Sequence, residues 1–193
     1  MTPEAEVLQA VVSELEKDKV PYMVVGSFAS GLWGRPRATH DADLVVELEP
    51  ESAMQLSSRL ADRFYADAEF MVSAVRKRSM FNVIHHEWGF KVDVWLLQAD
   101  EYAQVAFVRR RREPFFGAEG FDAFVIAPED TIISKLRWYQ QTTSERDFLD
   151  ALGVYELQEP ELDQAYLDQW AVELKLVELI ARLRREVARP PTQ

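Results

Sequence analysis

The sequence contains no cysteine. Disulfides, thiol nucleophiles and cysteine-ligated zinc are therefore excluded, and a reducing compartment is compatible with the chain. Histidine is scarce, at three residues. His85 and His86 are neighbours that an extended strand points to opposite sides, so no transition-metal cluster is expected from them. Positive charge is also short: 22 Lys and Arg stand against 33 Asp and Glu, for a formal net charge of −11. Most of such a surface repels phosphates, which excludes indiscriminate nucleic-acid binding. Any polyanionic ligand must be received locally, by a cation or a basic patch. No apolar run approaches the ~18 residues of a membrane span. The start, Met1 to Glu6, is acidic and lacks the basic and apolar regions of a signal peptide. The expectation is a cytoplasmic protein with no membrane association.

What is there is enough to fold. At 193 residues, 48% of them hydrophobic, the chain buries roughly 70% of its unfolded surface around one core. Thr2 as cap, Pro3 at the first helical position and apolar Val7, Val11 and Leu15 predict a helix over 3–18. Residues 21–25 read as a short buried strand ending at Gly26-Ser27, followed by a brief helix to Trp33 and a turn-rich loop through Arg35 and Arg37. Residues 41–48 alternate as a second strand, with Asp41, Asp43 and Val45 on one face. Helices are predicted over 50–64 and 68–77, and strands over 79–85 and 90–97. Beyond these, a helix over 100–112 and a small hairpin at 115–116 and 121–126 follow, then helices near 128–141, 145–157, 162–174 and 176–188. The tail from Arg189 to Gln193 should fray. The expected fold class is α+β with an α/β-like core: a mixed sheet flanked by helices in residues 1–126, and a C-terminal helical subdomain over 127–193.

The chemistry concentrates in three places. Gly26-Ser27 follows a buried strand directly. Asp41 and Asp43 open the next one, and residues two apart on a strand point to the same side, roughly 6.5–7 Å apart, a spacing suited to hard cations. Asp93 sits within Phe90-Lys91-Val92-Asp93-Val94-Trp95, where a carboxylate is costly unless something cationic neutralises it. Salt-bridged or solvated carboxylates are the bland alternative for each residue taken singly. Neither a P-loop nor a dinucleotide fingerprint occurs.

Gly26-Ser27, Arg37-x-Thr39-x-Asp41-x-Asp43 and the later strand aspartate resemble the polymerase-beta-type nucleotidyltransferase superfamily. The similarity is to its small prokaryotic members, minimal nucleotidyltransferases and those of toxin–antitoxin systems. Ala127-Pro128-Glu129-Asp130 leading to Lys135, then Arg146-Asp147-x-x-Asp150, is similar to the lysine and Arg-Asp-x-x-Asp segments of such proteins. The resemblance spans roughly residues 20–155. Ala42 departs from it, since a larger aliphatic residue is common between the two aspartates.

The resemblance implies that Asp41, Asp43 and Asp93 are catalytic and hold two Mg2+ ions under a nucleoside triphosphate, ATP among the candidates. It implies that Gly26 and Ser27 bind the β- and γ-phosphates through backbone N–H groups and the serine hydroxyl. Lys135 is the candidate second phosphate clamp and Arg37 a further nucleotide contact, with exposed-helix and loop-surface roles as the respective alternatives. Asp147 is expected to position Lys135 or a metal, or to pair with Arg146. The acceptor hydroxyl is left open among a tRNA end, a protein and a small molecule. The toxin-like likeness adds a cognate antitoxin or other partner protein, and with it a catalytically silent binding module as the alternative function.

Arg109 to Arg112 is the most basic run. Favourable cation placement in the last turn of a helix is preferred over a landing site for RNA phosphates. Trp138, Tyr139 and Trp170 fall in apolar helix patterns and are expected to pack inside.

Overall fold

The computed structural model describes residues 2–117 and 120–189. In chain order the elements are α1 (Pro3–Lys17), β1 (Tyr22–Val25), α2 (Gly26–Trp33), β2 (Asp41–Val46), α3 (Pro50–Leu60), β3 (Phe64–Tyr65), α4 (Ala68–Arg76), β4 (Met80–His85) and β5 (Lys91–Leu96). They continue with α5 (Glu101–Val108), β6 (Arg111–Phe115), β7 (Phe121–Val125), α6 (Pro128–Thr142), α7 (Glu145–Gln158), a 3-10 turn at Glu159–Glu161, α8 (Gln164–Glu173) and α9 (Val177–Val187). This is a mixed α/β chain, as the alternation of strand-period and helix-period segments predicts. Two compact units divide it: one comprises residues 1–25 and 38–125, the other 26–37 and 126–193. No helix among the described residues is long and apolar enough to cross a membrane.

Among the described residues, the first unit holds seven strands in one sheet, ordered β3-β4-β5-β2-β1-β7-β6. β2 runs parallel to β5 and β1 parallel to β7, and the remaining pairs are antiparallel. On β2, Ala42, Leu44 and Val46 are fully buried while Asp41, Asp43 and Val45 are only half-buried. One face of the strand therefore carries core and the other carries chemistry. Each large apolar side chain on the core face contributes about 1.5–3 kcal/mol of burial, which fixes the register, because a one-residue slip would put the aspartates inside. α1, capped as expected by the Thr2 hydroxyl on the Ala5 N–H, buries Val7, Leu8, Val11 and Leu15 and packs against α3 and β2.

Two boundaries differ from expectation. Phe64, read as the end of a helix, belongs to β3, because α3 stops at Leu60 and Phe64 pairs with His85. The helix expected to reach Arg112 ends at Val108. The Arg109 N–H closes on the Val105 carbonyl, and Arg111 to Phe115 then pair with β7. Sheet pairing overrides the local helical pattern there. Arg111 and Arg112 are thus strand residues, and the last-turn role expected for them does not hold. Arg110 lies against the rings of Phe107 and Phe124, its guanidinium carbon 4.3 and 5.1 Å from their centroids. Residues 118–119 and the tail beyond Arg189, expected to fray, lie outside the described residues.

The second unit is helical. α6 ends where Thr143 takes a left-handed conformation (φ 56°), turning the chain into α7. α2 packs on α6 and α7, fastened by Trp33 Nε1 to the Ile126 carbonyl and by Gln158 to the Trp33 carbonyl, both at 2.8 Å. Trp170 is buried, but Trp138, expected inside, is 46% exposed.

Candidate active site

β2 and β5 lie side by side in parallel register, Asp43 opposite Asp93 and Asp41 opposite Lys91. Strand alternation puts all four side chains on one face of the sheet. On the far side of β5, Asn82 of β4 is the register partner of Asp93. Like charges directly opposite each other across strands are destabilising, so this pairing needs a cation. Lys91 supplies one: its ammonium stands 2.7 Å from Asp93 Oδ2. The hydrogen bond to Asp93 raises its pKa above the ordinary lysine value against the lowering effect of burial, and the charges of Asp93, Asp41 and Asp43 add to the rise. Asp93 itself is 8% exposed. Its other oxygen, Oδ1, is buried without a hydrogen-bond partner. At the head of β2 the Thr39 hydroxyl donates to Asp41 Oδ1 at 3.0 Å and so orients that carboxylate.

These residues fit a hard divalent cation. The donors are carboxylate oxygens with no sulfur or imidazole among them, and a buried acceptor with no donor is what a metal would satisfy. Among the described residues, no group of three or more His, Asp or Glu side chains already converges as a ready-made cage. The fit rests on the shared face and the unsatisfied oxygen.

The second unit carries a separate polar cluster, buried where α6 and α7 meet. Asp150 receives the Arg37 guanidinium in a fork, Nε on Oδ1 and Nη2 on Oδ2, both at 3.0 Å. Lys135 Nζ approaches Asp150 Oδ2 at 2.8 Å and Asp147 Oδ1 at 3.2 Å. Arg37 Nη2 also donates to Ser27 Oγ at 2.7 Å. A hydroxyl that accepts from a guanidinium keeps its own proton to give. Lys135 and Asp150 are almost enclosed, their side chains 8% and 7% exposed. Burial pushes the Asp150 carboxyl up, but the hydrogen bonds from Arg37 and Lys135 and their charges outweigh it and hold it below the ordinary carboxylate value. Gly26 precedes Ser27 with φ 64°, a conformation that glycine adopts without strain.

Of the residues singled out in the sequence, Asp41, Asp43 and Asp93 gather on one face of the first unit. Gly26 and Ser27 adjoin, and Ser27, Arg37 and Lys135 gather in the second. Asp147 meets Lys135, one of the roles expected for it. Arg35 pairs with Glu156 at 2.7 Å and is 74% exposed, a surface role. Lys91 was not among the expected site residues, and Asp150 was expected only as the end of the Arg146-Asp147-x-x-Asp150 segment, with no role of its own. Lys91 could have been found from its spacing of two from Asp93, and Asp150 from its spacing of three from Asp147 on a helix.

No protein-family model matches the chain, and no curated protein matches it either. Solved structures do. An antigenic nucleotidyltransferase-like protein from Paracoccidioides brasiliensis superposes with a TM-score of 0.58 at 19% identity, over 95% of this chain and 91% of that one. The antibiotic-resistance factor ANT(2'')-Ia does so with a TM-score of 0.56 at 12% identity, over 94% and 96% of the two chains. Its complex with adenylyl-2''-tobramycin gives a TM-score of 0.51 at 14% identity, over 97% and 100%. At these identities the likeness establishes the fold. The chain has the nucleotidyltransferase fold.

Proposed function

We propose that this chain is a metal-dependent nucleotidyltransferase that moves a nucleoside monophosphate from a triphosphate to a hydroxyl and releases pyrophosphate. The observation that carries the proposal is the in-register pairing of Asp43 and Asp93 on adjacent parallel strands, beside Asp41, with one buried carboxylate oxygen unsatisfied. Metal-ligating oxygens of this kind belong to Asp41, Asp43 and Asp93, and a bound divalent cation would polarise the α-phosphate and lower the pKa of the attacking hydroxyl.

The rest falls to the chain's own groups. Thr39 holds Asp41 in orientation. Asp93, one oxygen held by Lys91 and the other without a donor, would ligate the cation beside the attacking hydroxyl or accept its proton. Within the second unit, Ser27 beside Arg37 and Lys135 beside Asp150 are candidate phosphate contacts in their own right, and Gly26 lets the backbone approach closely. The hydroxyl oxygen forms a bond to the α-phosphorus as the bond from that phosphorus to the bridging oxygen breaks. The bridging oxygen keeps the electron pair and leaves in pyrophosphate. The acceptor hydroxyl belongs to a tRNA end, a protein or a small molecule.

The test is incubation with Mg2+ and each α-labelled nucleoside triphosphate, offered total tRNA, lysate protein and small hydroxylated compounds, in wild type and Asp43→Asn. Label should pass to one acceptor class in the wild type only, with pyrophosphate released. Tight binding of the nucleotide with no transfer to any acceptor would instead make the protein a binding module.

A further inference from the structure

Beside the turn that joins α1 to β1, the first unit holds a pocket of about 370 Å3 whose wall includes Glu16, Lys19, Tyr22, Arg110, Arg112 and Phe124. Arg110 is the anomaly in that wall. Buried charges are ordinarily paired, yet no carboxylate among the described residues forms an ion pair with this guanidinium. Its Nε is buried without a hydrogen-bond partner, and Nη1 donates to the Phe107 carbonyl. We propose that this pocket binds a phosphate monoester, its phosphate on Arg110 and Lys19 and its aromatic or apolar body against Phe124. This second site does not depend on the metal-dependent reading of the acidic face.

The rings of Phe107 and Phe124, 4.3 and 5.1 Å from the Arg110 guanidinium carbon, position the cation without neutralising it. Burial lowers its pKa, against the raising charges of Glu47 and Tyr22, and a bound anion would offset that cost. Lys19 takes a left-handed conformation (φ 55°) in the turn that closes α1, its N–H on the Glu16 carbonyl at 3.0 Å, and brings an exposed side chain to the same pocket. Glu16, the acid in the wall, is already engaged. Its Oε1 accepts from the Tyr22 hydroxyl at 2.8 Å and from Arg112 Nη1 at 3.4 Å. Two cations from separate elements suit a phosphate, whose terminal oxygens can accept from both at once, better than they suit a carboxylate. The pocket is also remote from the acidic face. Tyr22 pairs with Val46 and Val25 with Asp43, so about 10 Å of strand separates Tyr22 from the Asp43 rung.

The test is NMR titration of the 15N-labelled full chain, without divalent metal, by phenyl phosphate, inorganic phosphate and benzoate, in wild type, Lys19→Gln and Arg110→Gln. Circular dichroism confirms that the variants are folded, and exposed Lys19 keeps the test decisive if Arg110→Gln is not. Phenyl phosphate should bind the wild type most tightly of the three and shift amide signals around residues 19–22, 110–112 and 124. Loss of one charge-assisted donor should weaken it by about tenfold in either variant. Shifts confined to other residues, Ser27 and Lys135 among them, would overturn the proposal. So would wild-type affinity in Lys19→Gln, or benzoate or inorganic phosphate binding as tightly as phenyl phosphate. Failure of the nucleotidyltransferase reading would leave these shifts in place, so the two outcomes are separable.

Discussion

Replacing Asp150 by asparagine keeps the shape of the side chain and removes the charge on which the buried cluster of the second unit depends. In the native protein three charge-assisted contacts converge on it, two from Arg37 at 3.0 Å and one from Lys135 at 2.8 Å. Removing one partner of a buried ion pair costs about 3–5 kcal/mol, because the other charge is left stranded. Two features pull the figure down. Arg37 is 28% exposed and recovers some hydration, and Lys135 keeps Asp147 at 3.2 Å. The net loss should be about 3 kcal/mol. For a chain of this size each kcal/mol moves the melting temperature by about 2–4 °C, so Asp150→Asn should melt about 6–12 °C below the wild type at pH 7. The acid limb gives a second, independent check. Because the folded-state pKa of Asp150 lies below its ordinary value, the unfolded chain takes up this proton first as pH falls. The stabilisation is complete above roughly pH 4 and is lost as pH drops through the folded pKa. The variant has no such proton, so the gap between the two proteins should narrow on acidification. Thermal unfolding followed by circular dichroism in low-salt buffers reads both effects. A drop of less than about 2 °C at pH 7, or a gap that stays constant into strong acid, would show that the cluster is solvated and that the pairing energy assigned to it is wrong.

Gly34→Ala should destabilise the protein by about 1–3 kcal/mol. The new methyl would meet the Val154 nitrogen at 2.8 Å and the Gly153 carbon and Ser30 oxygen at 2.9 Å, all backbone atoms that cannot step aside. Gly153→Ala, within α7, meets nothing nearer than the Arg35 side chain at 3.5 Å and should be stabilising by about 0.5–1 kcal/mol; urea midpoints that fall in the opposite order would refute the packing described for α2 against α7. His85, buried between Phe64 and the stacked Trp88 ring, has its pKa lowered by burial and then by the Arg63 charge. Its neutral ring stabilises the fold at pH 7, and this is lost as pH falls below roughly 6.5. A ring titration midpoint at or above that value by NMR would contradict it.

Most of the secondary structure could be read from the sequence because period and punctuation agree along the chain. Thr2-Pro3 starts α1, Pro50 starts α3 and Pro128 starts α6, and in each case the apolar residues behind the proline repeat at helical spacing. The reading failed where pairing partners, which lie far off in sequence, decide the outcome. Phe64 carries an apolar side chain at a helix-compatible spacing from Leu60 and goes to the sheet because His85 is there to receive it. Arg111 and Arg112 follow a helix without a breaker and enter β6 because Val125 and Phe124 offer a strand edge.

The candidate site divides in the same way. Asp41, Asp43 and Asp93 stand out in the sequence because a carboxylate in a buried strand is costly and its presence demands a reason. Lys91 escapes notice because a lysine at a strand end is what any solvated edge would carry. Only the parallel register, which sets it opposite Asp41 with Asp43 and Asp93 on the adjacent rung, turns it into a counter-ion of the acidic face. The role of Asp150, visible in the sequence only as the end of a motif, escapes for a related reason. On α7 it follows Asp147 at a spacing common on exposed helices, and its partners Arg37 and Lys135 come from a loop and from another helix. A costly residue in an apolar strand is thus visible from its neighbours in the chain, whereas the residues that neutralise or anchor it are chosen by geometry. The charge balance at the acidic face of this protein is therefore a property of the fold, because it depends on a contact that the sequence order alone does not reveal.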